Sequence, residues 1–278
     1  MGILSDLMSD PTGTLISLFY QIPAILIALT LHEVAHGYVA MKCGDPTAQM
    51  LGRLSLNPLK HLDPIGTICM FLIGFGYAKP VPVNPRNFRN FRRDDLLVSV
   101  AGIAVNFCLF LITSFLMVIV QKFMFTPEFY EISFYTTSSL SDARCLTAID
   151  LLSLKSPFLG MYMANDSMAY LAESGLTEFV RFPILIYVQR FLLTFSMLNL
   201  GLALFNLLPI PPLDGSHIFN DILFRGKMRL SYKVTQGIYI VFVLLLLFTP
   251  FITEGISFVR TFLQDGVMRG LVWIFGGL

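Results

Sequence analysis

The chain has 278 residues, of which 55% are hydrophobic and 13% charged, with a formal net charge of +1 and a mean hydropathy of +0.71. Ordinary soluble domains carry about 25% charged residues, so this composition describes an integral membrane protein. The near-neutral balance offers no basic surface to nucleic acid, and the sequence has no G-x-x-x-x-G-K-[ST] loop to cradle a nucleotide, so neither is expected as a partner.

The first predicted span covers about residues 14 to 41, long enough for the roughly 20 apolar residues that a bilayer requires. Residues 1 to 10 carry Asp6 and Asp10 but no Lys or Arg, so they lack the basic start of a signal peptide, and the span is expected to be retained. From Leu15 to Met41 the ionisable side chains apart from Tyr are His32, Glu33 and His36. Such groups are costly at membrane depth and therefore mark a functional site. Their spacing, H-E-x-x-H, puts two imidazoles on one helix face, where they can share a Zn²⁺ ion, and puts a glutamate beside them as a general base.

After this span, the partial alternation in Thr47–Leu56 and Tyr77–Phe88 predicts two short strands, and prolines 80, 82 and 85 confine the second to a sheet edge. Between them, Ile65–Tyr77 is too short and glycine-rich to span and suits a re-entrant segment, with His61 orienting its start. Further spans are predicted at about 96 to 121, 182 to 208 and 234 to 252. The connection 122 to 181 is expected to form short interfacial helices, one at Ser141–Lys155, and 253 to 278 to be amphipathic and interfacial. Cys43, Cys69, Cys108 and Cys145 are scattered, without disulfide density or C-x-x-C spacing, and are read as buried hydrophobes.

The resulting fold class is an all-α polytopic membrane protein. It has about four transmembrane helices, a re-entrant segment, a small β-sheet near the site and short interfacial helices, in a single domain over 1 to 278. Eight Lys and Arg residues between Lys42 and Arg93, and four more between Arg225 and Lys233, place those connections in the cytoplasm. The 122 to 181 connection then lies outside, in a multi-pass protein of a bacterial-type inner membrane. His32 and His36 fall near the cytoplasmic end of their span, and Pro209–Gly215 emerges at the same end of the third.

Catalytic zinc keeps three protein ligands and an open position. In the later spans the nearest candidate third ligand is Asp214, which follows the proline-rich Pro209–Leu213 stretch and could instead be a solvated loop carboxylate or a helix N-cap; His217 is an alternative ligand, a donor to one, or an interfacial histidine. Zinc is the usual metal for a His₂-carboxylate set with an open position. Asn106 and Asn206 are candidates for polar packing within the membrane.

Taken together, LTLHEVAHGYVA (29 to 40), GDPTAQMLGRLSLNPLKHLDPIGT (44 to 67), AKPVPVNPRNFR (78 to 89), AGIAVN (101 to 106) and NLLPIPPLDGSHI (206 to 218) resemble the site-2 protease family of intramembrane zinc metalloproteases. The likeness is to the compact form without PDZ or CBS domains. It implies one zinc per chain on His32, His36 and Asp214, Glu33 as base, and Asn106 and Asn206 near the substrate or its oxyanion. It further implies a transmembrane protein as substrate, cleaved within the bilayer. One departure is Gly102-Ile103 where the family commonly has Gly-Pro. The competing class is a membrane zinc transporter or sensor, which calls for several metal sites along a path, whereas this chain has four histidines and one cluster. A distal glutamate ligand is disfavoured because the glutamates after Glu33, at 128, 131, 173, 178 and 254, lie outside the central spans.

Overall fold

A computed structural model describes residues 3–64, 66, 78–126, 128, 177–224, 231–249 and 251–275. The expected re-entrant run, apart from Gly66, and most of the 122 to 181 connection, including the Ser141–Lys155 helix, lie outside the described residues. The helices are α1 (Ile3–Ser9), α2 (Pro11–Cys43), α3 (Thr47–Met50), α4 (Phe91–Met124), α5 (Ile184–Asn206), α6 (Asp214–Leu223), α7 (Tyr232–Phe248) and α8 (Phe251–Phe275). Three of them, α2, α4 and α5, are long and apolar enough to cross a membrane, whereas the apolar stretch of α7 is shorter. They match the first three predicted spans to within a few residues, and α7 occupies most of the fourth.

The long helices begin and end where local chemistry dictates. Asp10 caps α2 by accepting from Gly13 N at 2.9 Å, and Pro11 occupies the first position, where no N–H is needed. At the other end Gly44, at φ +112°, turns the chain while Gly44 N and Asp45 N return to the carbonyls of Met41 and Ala40. This is a Schellman stop, and only glycine adopts that φ without strain. Asn90 caps α4 reciprocally, its side chain accepting from Arg93 N and its own N–H donating to Asp94 Oδ2 at 2.8 Å.

The chain divides into two compact units. One comprises 1–9, 25–109 and 198–260; the other comprises 10–24, 110–197 and 261–278. Within the second, Ser114 and Ser196 join α4 to α5 through their hydroxyls at 3.2 Å, and Gln189 Nε2 donates to Met117 O. Arg190, buried on α5, stacks over the Tyr20 ring of α2 at 4.8 Å. Large apolar side chains on these helices, among them Leu15, Phe19, Ile112 and Ile184, are exposed, as lipid-facing residues are.

In the first unit the strand expectation for Thr47–Leu56 is not met, because its opening residues form α3. Asp45-Pro46 starts a turn, and the Asp45 carboxylate accepts from Thr47 N and Thr47 Oγ1. Among the described residues no sheet forms: Ala78 meets Leu62 in an isolated antiparallel bridge. Prolines 80, 82 and 85 remove the donors that a continuing ladder would need.

Asp45 is fully buried and also accepts from Asn84 N at 2.6 Å and Asn87 Nδ2 at 2.8 Å, so one carboxylate ties α3 to the 84–87 turn. Asp45→Ala would strand these donors and should destabilise the protein by about 2–3 kcal/mol, read as a lowered Tm in detergent. Burial pushes this carboxyl up, but the hydrogen bonds from Thr47, Asn84 and Asn87 outweigh it and hold it below the ordinary 3.8. A depressed folded pKa means a contribution that is complete above the unfolded value and lost as pH falls through the folded one. Wild type should therefore lose more Tm on acidification below pH about 4 than Asp45→Ala does; equal losses would refute the assignment.

Candidate metal centre

Four residues apart on α2, His32 and His36 lie on the same face, both buried, with ring centroids 4.6 Å apart. Their Nε2 atoms are 3.0 Å apart, and each lies 3.3 Å from Asp214 Oδ2. Tetrahedral zinc with ligands at about 2.0–2.1 Å requires ligand atoms roughly 3.3–3.4 Å apart, so these three atoms already approach the edges of one coordination tetrahedron. They form the single group among the described residues able to hold a metal ion through at least three such side chains. Asp214 Oδ2 is buried without a hydrogen-bond partner, so the chemistry of this donor set fits a cation.

Asp214 reaches this point because the chain breaks and folds back. After α5 ends at Asn206, prolines 209, 211 and 212 forbid helix, and α6 starts at Asp214 with Leu213 as its N-cap. Gly215 packs so tightly against the Leu207 and Leu208 carbonyls that a Cβ there would overlap both. Ser216 Oγ donates to Leu213 O at 2.7 Å, and Arg92 Nε of α4 donates to Asp221 O at 3.0 Å, fixing α6 in place. Burial pushes the Asp214 carboxyl up, but the His32 and His36 nitrogens beside it prevail and hold it well below the ordinary carboxylate range.

Behind the histidines stands one stripe of α4. His36 Nδ1 donates to Val98 O at 2.7 Å, which leaves its Nε2 lone pair facing Asp214. The Asn106 amide, with no exposed surface, lies 3.2 Å from His32 Nδ1. Between them, Gly102 lets the two helices close: a Cβ there would strike His36 Nε2 and the His32 ring.

Glu33, half-buried on the same turn, accepts a hydrogen bond from Val81 N at 2.7 Å. The Val81 side chain is buried, and Gly37 is bare enough for Val81 and Leu54 to press on α2. Asn206 is half-buried at the end of α5. His217 stands outside the ligand group, 3.4 Å from Asp95 Oδ2 with its ring largely exposed, and the Asp95 carboxylate raises its pKa. His61 is buried and donates from Nε2 to Ser55 O, 2.8 Å away, as a structural histidine does. Of the described cysteines, Cys43 is buried and Cys108 exposed on α4, contrary to its expected burial, because its position on the helix faces outward.

Sequence reading did not find Val98, and it met Gly102 and Val81 within motifs without giving them these roles beside the histidines and Glu33. Val98 and Val81 act through backbone atoms, which carry no residue-type signal. Gly102 did leave one, a glycine one helical turn before Asn106, visible only once α4 is known to face the histidines.

Comparison with known proteins follows this geometry. The profile of Peptidase family M50 matches residues 20–249. A protein of Bacillus subtilis (strain 168) named "Putative zinc metalloprotease YwhC" is 36% identical over 232 residues, 83% of this chain and 81% of its own. A protein of Mycolicibacterium smegmatis (strain ATCC 700084 / mc(2)155), named in the same words with the label Rip2, is 32% identical over 89 residues, 30% of this chain and 34% of its own. No solved structure matches the chain significantly.

Proposed function

The chain belongs to peptidase family M50, the site-2 protease family, and is a zinc metalloendopeptidase; from that premise we propose that it hydrolyses a peptide bond in or beside a transmembrane segment of another membrane protein. The observation that carries this reading is the convergence of His32, His36 and Asp214 on one point of α2, a helix apolar enough to cross the bilayer.

In this reading His32 Nε2, His36 Nε2 and Asp214 Oδ2 would hold one zinc per chain. When bound, zinc would lower the pKa of a coordinated water from about 15.7 to about 7 and polarise the scissile carbonyl. Glu33 takes the proton from the attacking water and returns it to the leaving amine. The Val81 N–H anchors Glu33 Oε2 and so aims the other oxygen at this task. Asn206 stands at the mouth of the loop that delivers Asp214 and contacts the substrate carbonyl.

A helical substrate hides its carbonyls in backbone hydrogen bonds, so it must unwind and be held extended. In the Lys79–Asn84 segment most of the donors are engaged: Lys79 N bonds His61 O, Val81 N bonds Glu33 and Asn84 N bonds Asp45. Pro80 and Pro82 have none, which leaves the Val83 N–H, among the described residues, for pairing with an added strand. The Lys- and Arg-rich connections argue for a site nearer the cytoplasmic face.

The test uses protein purified in detergent, with zinc content measured alongside cleavage of a reconstituted transmembrane substrate. Close to one zinc per chain is expected, with cleavage lost on chelation and restored by added zinc. Cleavage that survives complete metal removal would end the reading.

A further inference from the structure

We propose that Asn106 is a positioning residue that holds His32 in its metal-binding tautomer, rather than a group that touches substrate; this rests on the metalloprotease reading above. The two nitrogens of an imidazole lie on opposite edges of its ring. His32 turns Nε2 toward Asp214 and His36, so whatever contacts Nδ1 stands behind the ring, away from the reacting atoms. Asn106 is that group, with its amide Nδ2 placed 3.2 Å from Nδ1 and no exposed surface.

His36 shows what the position requires. Its Nδ1 meets Val98 O, which can only accept, so Nδ1 carries the proton and Nε2 keeps its lone pair for a metal. His32 needs the same assignment for the same purpose. Its Nδ1–H then has to donate, and Asn106 serves by a half-turn of its amide, whose two ends are interchangeable, that puts Oδ1 in the place of Nδ2. Asn106 Oδ1 has no other partner to compete for it.

Val98, Gly102 and Asn106 recur every four residues, so they lie on one face of α4. That face supplies an acceptor for His36, a gap that admits both rings, and, once the Asn106 amide is turned, an acceptor for His32. Metal-binding histidines are commonly fixed in this way, and losing such a partner weakens metal affinity by about 10–100-fold.

The experiment measures zinc affinity of full-length detergent-purified protein by competition with a chromophoric chelator, and records the visible spectrum of the Co²⁺-loaded form. Asn106→Leu, similar in size but without an acceptor, should weaken zinc binding by about 10–100-fold and alter the Co²⁺ bands. Asn106→Asp, which can accept from Nδ1–H, should stay within a few-fold of wild type in both. Asn106→Ala, which only removes atoms, guards against misfolding of the leucine variant and should show the same loss. Wild-type zinc affinity in the leucine or alanine variant would overturn the proposal, most clearly if cleavage were lost at saturating zinc, as for a substrate contact. Failure of wild type itself to bind zinc would instead overturn the metalloprotease reading.

Discussion

Glu33→Gln should reduce cleavage by a factor on the order of 10³ while leaving bound zinc unchanged. The substitution preserves size and still offers Val81 N–H an oxygen to donate to, so the α2 contact with the 79–84 segment survives. It removes the ability to take a proton from water, and a positioned general base is worth about 10²–10⁴ in rate. Because Glu33 is not among the three converging ligand atoms, metal content should not follow activity. Single-turnover cleavage at saturating zinc, with metal content measured on the same sample, separates the two. Undiminished cleavage would remove Glu33 from the chemistry, and parallel loss of zinc would assign it to the shape of the metal site.

The second large effect is expected on metal binding. Asp214→Ala deletes the oxygen that lies 3.3 Å from both histidine nitrogens and supplies the site's negative charge. A two-histidine site lacks the third protein ligand that catalytic zinc keeps, so affinity should fall by roughly 100-fold or more, beyond the loss expected from an outer partner. Asp214→Asn, which retains an oxygen but not the charge, should fall between. Competition with a chelator measures both, and wild-type affinity in Asp214→Ala would refute the third-ligand assignment. Gly215 and Ser216 shape the backbone around this residue, so the side-chain truncation leaves the start of α6 intact.

Much of the fold was legible because a bilayer imposes a simple requirement. Apolar length alone located α2, α4 and α5 and most of α7, and the Asp10 and Asn90 caps explain why their ends fall a few residues outside the apolar runs. The strand reading of Thr47–Leu56 failed because alternation over a few residues is weaker than local hydrogen bonding: Asp45 captures Thr47 and winds the next residues into a turn. Cys108 failed for a related reason, since an apolar neighbourhood in a span does not say which side faces lipid.

The site divides along the same line. His32, Glu33 and His36 could be named from spacing on one helix, because four residues bring two side chains to one face. Asp214 could be nominated but not placed, since proline content ends a helix without saying where the next one points.

By itself the sequence determined that this is a membrane-spanning helical protein with a candidate metal-binding pair and a candidate base on its first long helix, because burial cost and helical period act along the chain. Only the tertiary structure decided that Asp214 closes the triangle, that Val81 N–H holds Glu33, and that Val98, Gly102 and Asn106 stand behind the imidazoles. Those contacts join residues distant in sequence, through backbone atoms and the absence of a Cβ, and they exist only once the helices are packed.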